Sequence, residues 1–306
     1  MAFQKLTKMN RRAKILSGLK LDTLTGAEIG ALTRPLVRRE DGPVIYVDHA
    51  DTETLRQKYA ADPQVNLTAF VDVGGVWGDN TLLEALGAKV DYIVASHVIE
   101  HVPDLVTWLR ELVAALKPGG EIRLAIPDKR FTFDFRRRET IMADVMPAYE
   151  SRARRPMPAQ VLDFAMHMTP VSPVERWLGK GDDATTMYTR EQAVGYAQEA
   201  ANGGAYNDVH CWVFTPASFA RLMRDLVRAN LIDVECSMFY DTAPGQLEFI
   251  VGMKPGSNAG TWSTMEARCK EWRRAPMAGL HPGIIRGNLA AAFPSVAATV
   301  KGIIRR

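Results

Sequence analysis

The sequence predicts an α/β fold with a doubly wound, mostly parallel sheet. Two short apolar runs, 90–96 and 121–126, are continuous rather than alternating, as expected for strands that helices cover on both faces. Between them, residues 104–116 repeat apolar side chains on one face, which is typical of an amphipathic helix. Ionisable residues follow each run, at the sheet edge where open parallel sheets bind their ligands.

Further elements are predicted on both sides of this strand, helix, strand unit. A first strand is expected within 25–35, and the apolar runs 44–48 and 67–73 predict the second and third strands. Thr215 precedes Pro216 and a clean amphipathic run, so a capped helix is expected over 215–229. The alternating segments 231–240 and 246–253, joined by a Pro-Gly turn, predict a terminal antiparallel hairpin.

Composition excludes several classes of protein. With 306 residues, 47% hydrophobic and 24% charged, the chain is long enough for an α/β core with an elaboration. No apolar run reaches the roughly 18 residues of a transmembrane helix, and the basic start lacks the apolar region of a signal peptide, so we expect a cytoplasmic protein. Cys211, Cys236 and Cys269 stand singly, which argues against a disulfide framework or a zinc knuckle.

The net charge of +3 is unevenly distributed. Residues 1–20 contain six basic and no acidic residues, and residues 267–306 contain eight basic residues and one acidic residue. The basic C-terminal tail could contact an anionic membrane surface. The middle of the chain is acidic, which disfavours a nucleic-acid partner.

Residues 90–128, which contain the strand, helix, strand unit, resemble part of a known protein family. The segment SHVIEHVPD, followed by a helix and LKPGGEIRLAIPD, resembles the fourth and fifth strands of class I S-adenosylmethionine-dependent methyltransferases, including ubiquinone-pathway O-methyltransferases. Within that superfamily the chain is most similar to bacterial methyltransferases of cell-surface polysaccharide biosynthesis. The resemblance implies a seven-stranded Rossmann-like sheet, S-adenosylmethionine as cofactor, and methyl transfer to an acceptor.

The resemblance also implies where the cofactor lies. Glu28 and Gly30, in the loop after the first strand, would approach its methionine part. Asp48, at the tip of the second strand, could accept hydrogen bonds from both ribose hydroxyls, although it could instead cap the next helix, a role for which Asp51 and Thr52 compete. A single glycine replaces the Gly-x-Gly-x-x-Gly of dinucleotide sites, which disfavours a nicotinamide enzyme.

The remaining cofactor contacts are assigned to two later turns. Asp79 would face the adenine amino group, with Asp72 as a competitor and a plain turn aspartate as the alternative. Ser96 and His97 end the fourth strand, where they would border both the sulfonium and the acceptor.

The turn that carries His97, Glu100 and His101 permits three interpretations. Our first is a general base, His101, whose tautomer Glu100 fixes. The second is a pair of caps for the helix that begins near Pro103. The third is a divalent-metal shelf, as proposed for ubiquinone-type O-methyltransferases, which have a carboxylate where this chain has His97. The predicted site therefore contains no metal.

The acceptor is expected to bind under an insert over 129–208. Its opening interleaves phenylalanines with arginines, and arginine forks suit phosphates and carboxylates, so we expect an anionic acceptor; helix-face arginines paired with acids are the alternative. His210 follows the insert and is a candidate base, as is His101, with Asp128 orienting the base and a structural histidine as the alternative for His210.

The predicted domains are a basic N-terminal cover (1–24), a cofactor-binding half (25–128), a helical acceptor insert (129–208), the end of the methyltransferase domain (209–255) and a basic tail (256–306). The expected activity is O-methylation of a sugar hydroxyl on an activated sugar or polysaccharide precursor. A small-molecule O- or N-methyltransferase and a non-catalytic scaffold remain alternatives. A nucleic-acid enzyme is disfavoured, because the fourth strand ends in Ser96-His97 rather than in an Asn-Pro-Pro-Tyr type sequence.

Overall fold

A seven-stranded sheet organises the residues that the structure, a computed structural model, describes: 9–63 and 65–269. The strands are β1 (Gly26–Ile29), β2 (Val44–Asp48), β3 (Gly75–Val76), β4 (Val90–Ser96), β5 (Leu116–Pro127), β6 (Val234–Tyr240) and β7 (Glu248–Pro255). Their order is β3-β2-β1-β4-β5-β7-β6; the first five pair in parallel, and β7 runs antiparallel to both β5 and β6. The predicted fold class and the terminal hairpin are confirmed.

Helices connect these strands and flank the sheet. Along the described chain they are α1 (Arg11–Ile15), α2 (Thr52–Tyr59), α3 (Leu82–Leu86), α4 (Leu105–Ala114), α5 (Met142–Glu150), α6 (Pro158–His167), α7 (Pro173–Trp177), α8 (Arg190–Ala201), α9 (Pro216–Arg228) and α10 (Gly260–Arg268). Helices α5 to α8 lie between β5 and α9, where the helical insert was predicted. Among the described residues, no helix is both long and apolar enough to cross a bilayer. The part of the predicted basic tail beyond residue 269 lies outside the described residues.

Strand β4 shows why its sequence is continuously apolar. Ile93 and Ala95 belong to the larger core, whereas Tyr92 and Val94 belong to a smaller core on the opposite face. Because successive side chains of a strand point to opposite faces, a strand covered on both sides needs apolar residues at every position. The bounds of β2 and β4 agree with the predicted strands.

Helix caps explain where three of the helices begin. The Asp51 carboxylate accepts a hydrogen bond from the Thr54 backbone N–H at 2.8 Å, which makes Asp51 the cap of α2. Thr215 caps α9, and Pro216 occupies its first position, as predicted. Asp104 caps α4 through the Thr107 N–H. The second interpretation of the turn before α4, in which Glu100 caps that helix together with His101, is therefore wrong.

The predicted third strand is also wrong. Residues Leu67–Ala69 form a 3₁₀ turn, because the Asn66 side chain accepts hydrogen bonds from both the N–H and the hydroxyl of Thr68. The strand that pairs with β2 is the two-residue β3, further along the chain. It begins at Gly75, where a Cβ atom would lie 2.4 Å from the Ala85 carbonyl oxygen. Only glycine permits that approach.

Candidate active site

A large cavity opens at the carboxyl ends of β1, β2 and β4, with a volume of about 2330 Å³. Eight of the nine predicted site residues line it: Glu28, Gly30, Asp48, Asp79, Ser96, His97, His101 and His210. The topology explains this grouping, since the ends of neighbouring parallel strands meet at one edge of the sheet. Asp128 does not line the cavity.

The loop after β1 is held from inside by Glu28. This side chain is 2% exposed, and its two carboxylate oxygens accept hydrogen bonds from the backbone N–H groups of Leu36 and Val37, each at 2.8 Å. Burial raises the pKa of Glu28 to about 7, despite those two hydrogen bonds. Gly30 has a φ of +72°, in the left-handed region that favours glycine. By these hydrogen bonds Glu28 fixes the conformation of the loop after β1, which forms part of the cavity wall.

Asp48 ends β2 with a carboxylate at the cavity. Its Oδ1 accepts a hydrogen bond from the His49 backbone N–H at 2.8 Å and lies 2.6 Å from His49 Nδ1. The described residues offer its Oδ2 no hydrogen bond. Because Asp51 is the cap of α2, Asp48 does not have the capping role that competed with ligand binding. The second oxygen is therefore available to a ligand.

The turn after β3 supplies the far side of the cavity. Asp79 is exposed there, and the Arg154 guanidinium donates to its backbone carbonyl at 3.3 Å. Trp77 is half-buried, and its indole N–H donates to Glu111 Oε2 at 3.0 Å. Both side chains line the cavity, while their contact with an adenine ring stays a prediction.

His97 directly follows β4 and has a φ of +55°, in the left-handed region. Its Nε2 lies 2.8 Å from Glu248 Oε2, and Glu248 Oε1 in turn accepts a hydrogen bond from Arg11 at 2.6 Å. Burial alone would raise the pKa of Glu248, but Arg11 and His97 outweigh it and lower that pKa to about 2. Arg11 also donates a hydrogen bond to the Ser96 hydroxyl, which links α1 to the end of β4.

Glu100 lies beneath this turn, 1% exposed. Among the described residues, neither of its carboxylate oxygens has a hydrogen-bond donor, although His97 Nδ1 lies 3.5 Å from Oε1. Burial would raise the pKa of Glu100, but the surrounding imidazoles, His97 foremost, lower it. The carboxylate is therefore held charged by neighbours that do not satisfy its oxygens.

The partner of His101 is Asp208 rather than Glu100. His101 Nδ1 lies 2.8 Å from Asp208 Oδ1, which corrects the predicted orienting residue. Burial opposes a charge on His101, but Asp208 outweighs burial and raises the pKa of His101 to about 9. The imidazole is therefore protonated at neutral pH, which suits a hydrogen-bond donor better than a base.

His210 is paired with Asp134. The distance from His210 Nδ1 to Asp134 Oδ2 is 2.5 Å, and Arg137 donates to Asp134 Oδ1 at 3.0 Å and to the His210 carbonyl at 2.8 Å. Burial would raise the pKa of Asp134, but His210 and Arg137 lower it to about 2. A charged carboxylate on Nδ1 fixes the proton there and leaves Nε2 as the basic atom. The ring stands edge-on to His101, with 4.7 Å between centroids.

The predicted orienting role of Asp128 is wrong. This residue is fully buried and caps the turn Lys129–Phe131. Its carboxylate accepts hydrogen bonds from Arg130 and from the Thr242 hydroxyl, the latter at 2.8 Å. Neither candidate base is among the hydrogen-bond partners of this carboxylate, which are Arg130 and Thr242.

Comparison with known proteins identifies the family of this chain. Residues 26–226 match the profile of a family described as a methyltransferase domain. The chain belongs to this family. The predicted activity class, an S-adenosylmethionine-dependent methyltransferase, and its cofactor are thereby confirmed. No curated protein matches the sequence significantly.

Solved structures similar to this methyltransferase show low sequence identity. The CcbJ methyltransferase from Streptomyces caelestis is 14% identical, with a TM-score of 0.41, over 80% of this chain and 89% of that one. An S-adenosylmethionine-dependent methyltransferase from Mesorhizobium loti is 13% identical (TM-score 0.37; 76% and 92% covered). A ribosomal protein L11 methylase from Lactobacillus delbrueckii subsp. bulgaricus is 11% identical (TM-score 0.33; 79% and 75% covered).

The residues that sequence reasoning missed are the partners of the histidines. Asp134 stands inside the basic segment 129–138, where the sequence suggested only a counter-ion for arginines. Its position between Phe133 and Phe135 is the available signal, since a carboxylate flanked by apolar residues is expected to be buried and paired. Glu248, at the start of β7, stands between Leu247 and Phe249 and carries the same signal.

The basic segment of this methyltransferase is mostly engaged internally. Arg137 pairs with Asp134 and Asp163, and Arg138 pairs with Asp144. For these positions the alternative explanation, arginines that pair with acids, is correct. The arginines that line the cavity are Arg11, Arg34, Arg110, Arg152 and Arg154.

Proposed function

We propose that this methyltransferase transfers the methyl group of S-adenosylmethionine to a hydroxyl of a sugar, on an activated sugar or a polysaccharide precursor. The observation that carries the proposal is the buried pair of His210 and Asp134 on the cavity wall. A hydroxyl is a poor nucleophile at neutral pH, so a base has to accept its proton as the new bond forms. An imidazole with a carboxylate fixed on Nδ1 is suited to that task.

The cofactor would be held at the β1 and β2 end of the cavity. Asp48 keeps an oxygen without a protein donor, and Gly30 brings the backbone to the edge of the cavity, so the residues present fit a nucleoside with a ribose diol. Bound there, S-adenosylmethionine supplies a methyl group on a sulfonium that is already a good leaving group. The remaining task of the protein is to align the acceptor oxygen and to exclude water.

His210 and His101 would then have different roles toward the acceptor, one as a base and the other as a hydrogen-bond donor. His210 accepts the hydroxyl proton at Nε2 while Asp134 stabilises the resulting imidazolium. His101, protonated because its pKa is about 9, donates a hydrogen bond to a neighbouring oxygen of the acceptor. In the predicted assignment the two histidines were equivalent candidates; their pairing favours His210 as the base.

The size and the lining of the cavity support the proposed acceptor class. A cavity of about 2330 Å³ exceeds the roughly 300–1000 Å³ of a typical small-molecule pocket, which leaves room for a second large ligand beside the cofactor. Arg152 and Arg154 line it, and Arg110 donates to the Tyr149 hydroxyl at 2.8 Å on the same wall. Such a wall supports an anionic acceptor, for example a nucleotide-linked sugar, a uronic acid or a phosphorylated glycan.

The test measures S-adenosylhomocysteine formation with a panel of anionic and neutral sugar acceptors. His210→Gln and Asp134→Asn should each lower kcat by about 100-fold to 10,000-fold, the usual contribution of a general base, with unchanged cofactor affinity. His167→Gln is the matched control, because that histidine does not line the cavity. Full turnover in His210→Gln would remove His210 from this role.

Two further measurements separate the alternatives. If calorimetry with S-adenosylhomocysteine gives no heat at millimolar concentration, the chain is a non-catalytic scaffold. If only neutral aromatic or amine acceptors react, it is a small-molecule O- or N-methyltransferase.

The cytoplasmic location and the membrane contact of the basic tail stay predictions. Cell fractionation tests the location, and binding of full-length and tail-deleted protein to anionic vesicles tests the membrane contact.

A further inference from the structure

Arg152 stands in a backbone conformation that suits glycine better than arginine. It follows α5 and has a φ of +52°, in the left-handed region where a Cβ atom is unfavourable. The Arg152 N–H donates to the Tyr149 carbonyl at 3.0 Å. The next N–H, that of Ala153, reaches back to the Ala148 carbonyl at 2.9 Å. A helix that ends with these two hydrogen bonds requires the left-handed conformation at this position.

Helices α7, α8 and α9 have the same left-handed position just beyond their last residues. It is occupied there by Gly179, Gly203 and Asn230, with φ values of +69°, +72° and +56°. Glycine has no Cβ, and asparagine tolerates this region because its short polar side chain can form local hydrogen bonds. Arginine has neither property. The end of α5 therefore keeps an unfavourable residue where glycine would fit, and such backbone strain is concentrated where a side chain has a function.

The side chain of Arg152 lies at the cavity without a partner. Arg152 is exposed and lines the cavity, and among the described residues its guanidinium makes no hydrogen bond or ion pair. The neighbouring arginines are engaged. Arg154 donates to the Asp79 backbone carbonyl at 3.3 Å, and Arg110 donates to the Tyr149 hydroxyl at 2.8 Å. These contacts place the arginines on one wall, between α4 and the turn after β3, and leave the donors of Arg152 available to a ligand.

We propose that Arg152 binds an anionic group of the acceptor, either a phosphate or a carboxylate. A guanidinium presents paired N–H donors that match the oxygens of both groups. The inference rests on the proposed function, because it assigns the negative charge of that acceptor to one residue. The cofactor has a carboxylate of its own, but its methionine part is expected at the loop of Gly30, after β1. Arg152 therefore acts on the affinity for the acceptor and not on the affinity for the cofactor.

The experiment is calorimetry on full-length protein saturated with S-adenosylhomocysteine. The probes are uridine diphosphate glucose, which carries phosphates, glucuronate, which carries a carboxylate, and neutral glucose. The anionic probe that binds identifies the group, and Arg152→Gly should weaken its affinity by about 10-fold to 150-fold, the value of a hydrogen bond between charged groups. Arg152→Lys keeps the charge but loses the planar fork, so its affinity should be intermediate. The affinity for S-adenosylhomocysteine should be the same in all variants.

Two control variants separate the charge from the backbone. Asn230→Gly changes the equivalent left-handed position after α9, which does not line the cavity, and should leave the affinity for the anionic probe unchanged. Arg155→Ala removes an exposed arginine of the same segment that does not line the cavity, and should also leave it unchanged. In urea unfolding, Arg152→Gly should have a higher midpoint than the unaltered protein, because the strain is relieved. Weaker binding in this variant therefore cannot come from misfolding.

Three results would overturn the role of Arg152: equal affinity of Arg152→Gly and the unaltered protein for the anionic probes, no binding of either anionic probe, or weaker S-adenosylhomocysteine binding in Arg152→Gly. None of these measurements involves methyl transfer, so such a result leaves methylation of a sugar hydroxyl and the role of His210 standing. Conversely, if Arg152→Gly loses the anionic probe but no sugar is methylated in the turnover assay, the proposed function fails and the anion site remains.

Discussion

Glu28 is a residue whose titration should make the stability depend strongly on pH at and below neutral pH. Its carboxylate is 2% exposed and closes the loop after β1 through the N–H groups of Leu36 and Val37. Glu28→Gln removes the titration while retaining the size of the side chain. One of the two backbone donors then faces an amide nitrogen, which cannot accept a hydrogen bond.

The magnitude follows from the pKa. Burial raises the pKa of Glu28 from 4.5 to about 7, so the folded protein holds this proton more tightly than the unfolded chain does. Its contribution to stability is therefore fully present below pH 4.5 and is lost as the pH rises through 7. At about 1.4 kcal/mol per pKa unit, the contribution of Glu28 to the free energy of unfolding should fall by about 3 kcal/mol between pH 4.5 and 8.

The assay is urea unfolding followed by tryptophan fluorescence across that pH range. The unaltered protein should lose about 3 kcal/mol relative to Glu28→Gln between the two ends. Glu53→Gln, at an exposed position on α2, should run parallel to the unaltered protein. Asp134 and Glu248, with pKa values of about 2, titrate below this window and do not interfere. A constant difference between the unaltered protein and Glu28→Gln would refute the reasoning.

Two further predictions concern the cofactor end and the glycines of the fold. Asp48→Ala should weaken S-adenosylhomocysteine binding by about 10-fold to 150-fold, the value of a hydrogen bond to a charged group, in calorimetry. Asp51→Ala should leave that affinity unchanged but lower the unfolding midpoint, because it removes a helix cap. Gly26→Ala should cost about 1–3 kcal/mol in urea unfolding, because the new Cβ would lie 2.0 Å from the buried Tyr92 ring. Gly195→Ala, inside α8 with open space around it, should gain about 0.5–1 kcal/mol. A gain in Gly26→Ala together with a loss in Gly195→Ala would contradict both assignments.

Much of the fold could be predicted because its signals are local. β2 and β4 are continuous apolar runs, and α9 begins with a threonine and a proline at the positions that a cap requires. The third strand failed for a local reason as well. The apolar run at 67–73 resembles a strand, but the Asn66 side chain satisfies the backbone in a turn, and the pairing passes to Gly75 and Val76.

The sequence predicted most of the residues that lie at the site, but it did not predict which carboxylates pair with them. Residues at the ends of parallel strands converge whatever their partners are, so eight of the nine predicted residues reach the cavity. The carboxylates that set the chemistry are distant in sequence: 76 residues separate Asp134 from His210, 107 separate His101 from Asp208, and 151 separate His97 from Glu248. A single sequence carries no signal for such pairs.

These long separations also explain why the site depends on the whole fold. Arg11 belongs to α1, Glu248 to β7, and His97 directly follows β4, yet the three form one continuous chain of charges. Each buried charge is compensated only when the next element is in place, and removing one partner would leave another uncompensated. The acid-base properties of the histidine turn are therefore a property of the assembled sheet, and α1 belongs to the site rather than merely covering it.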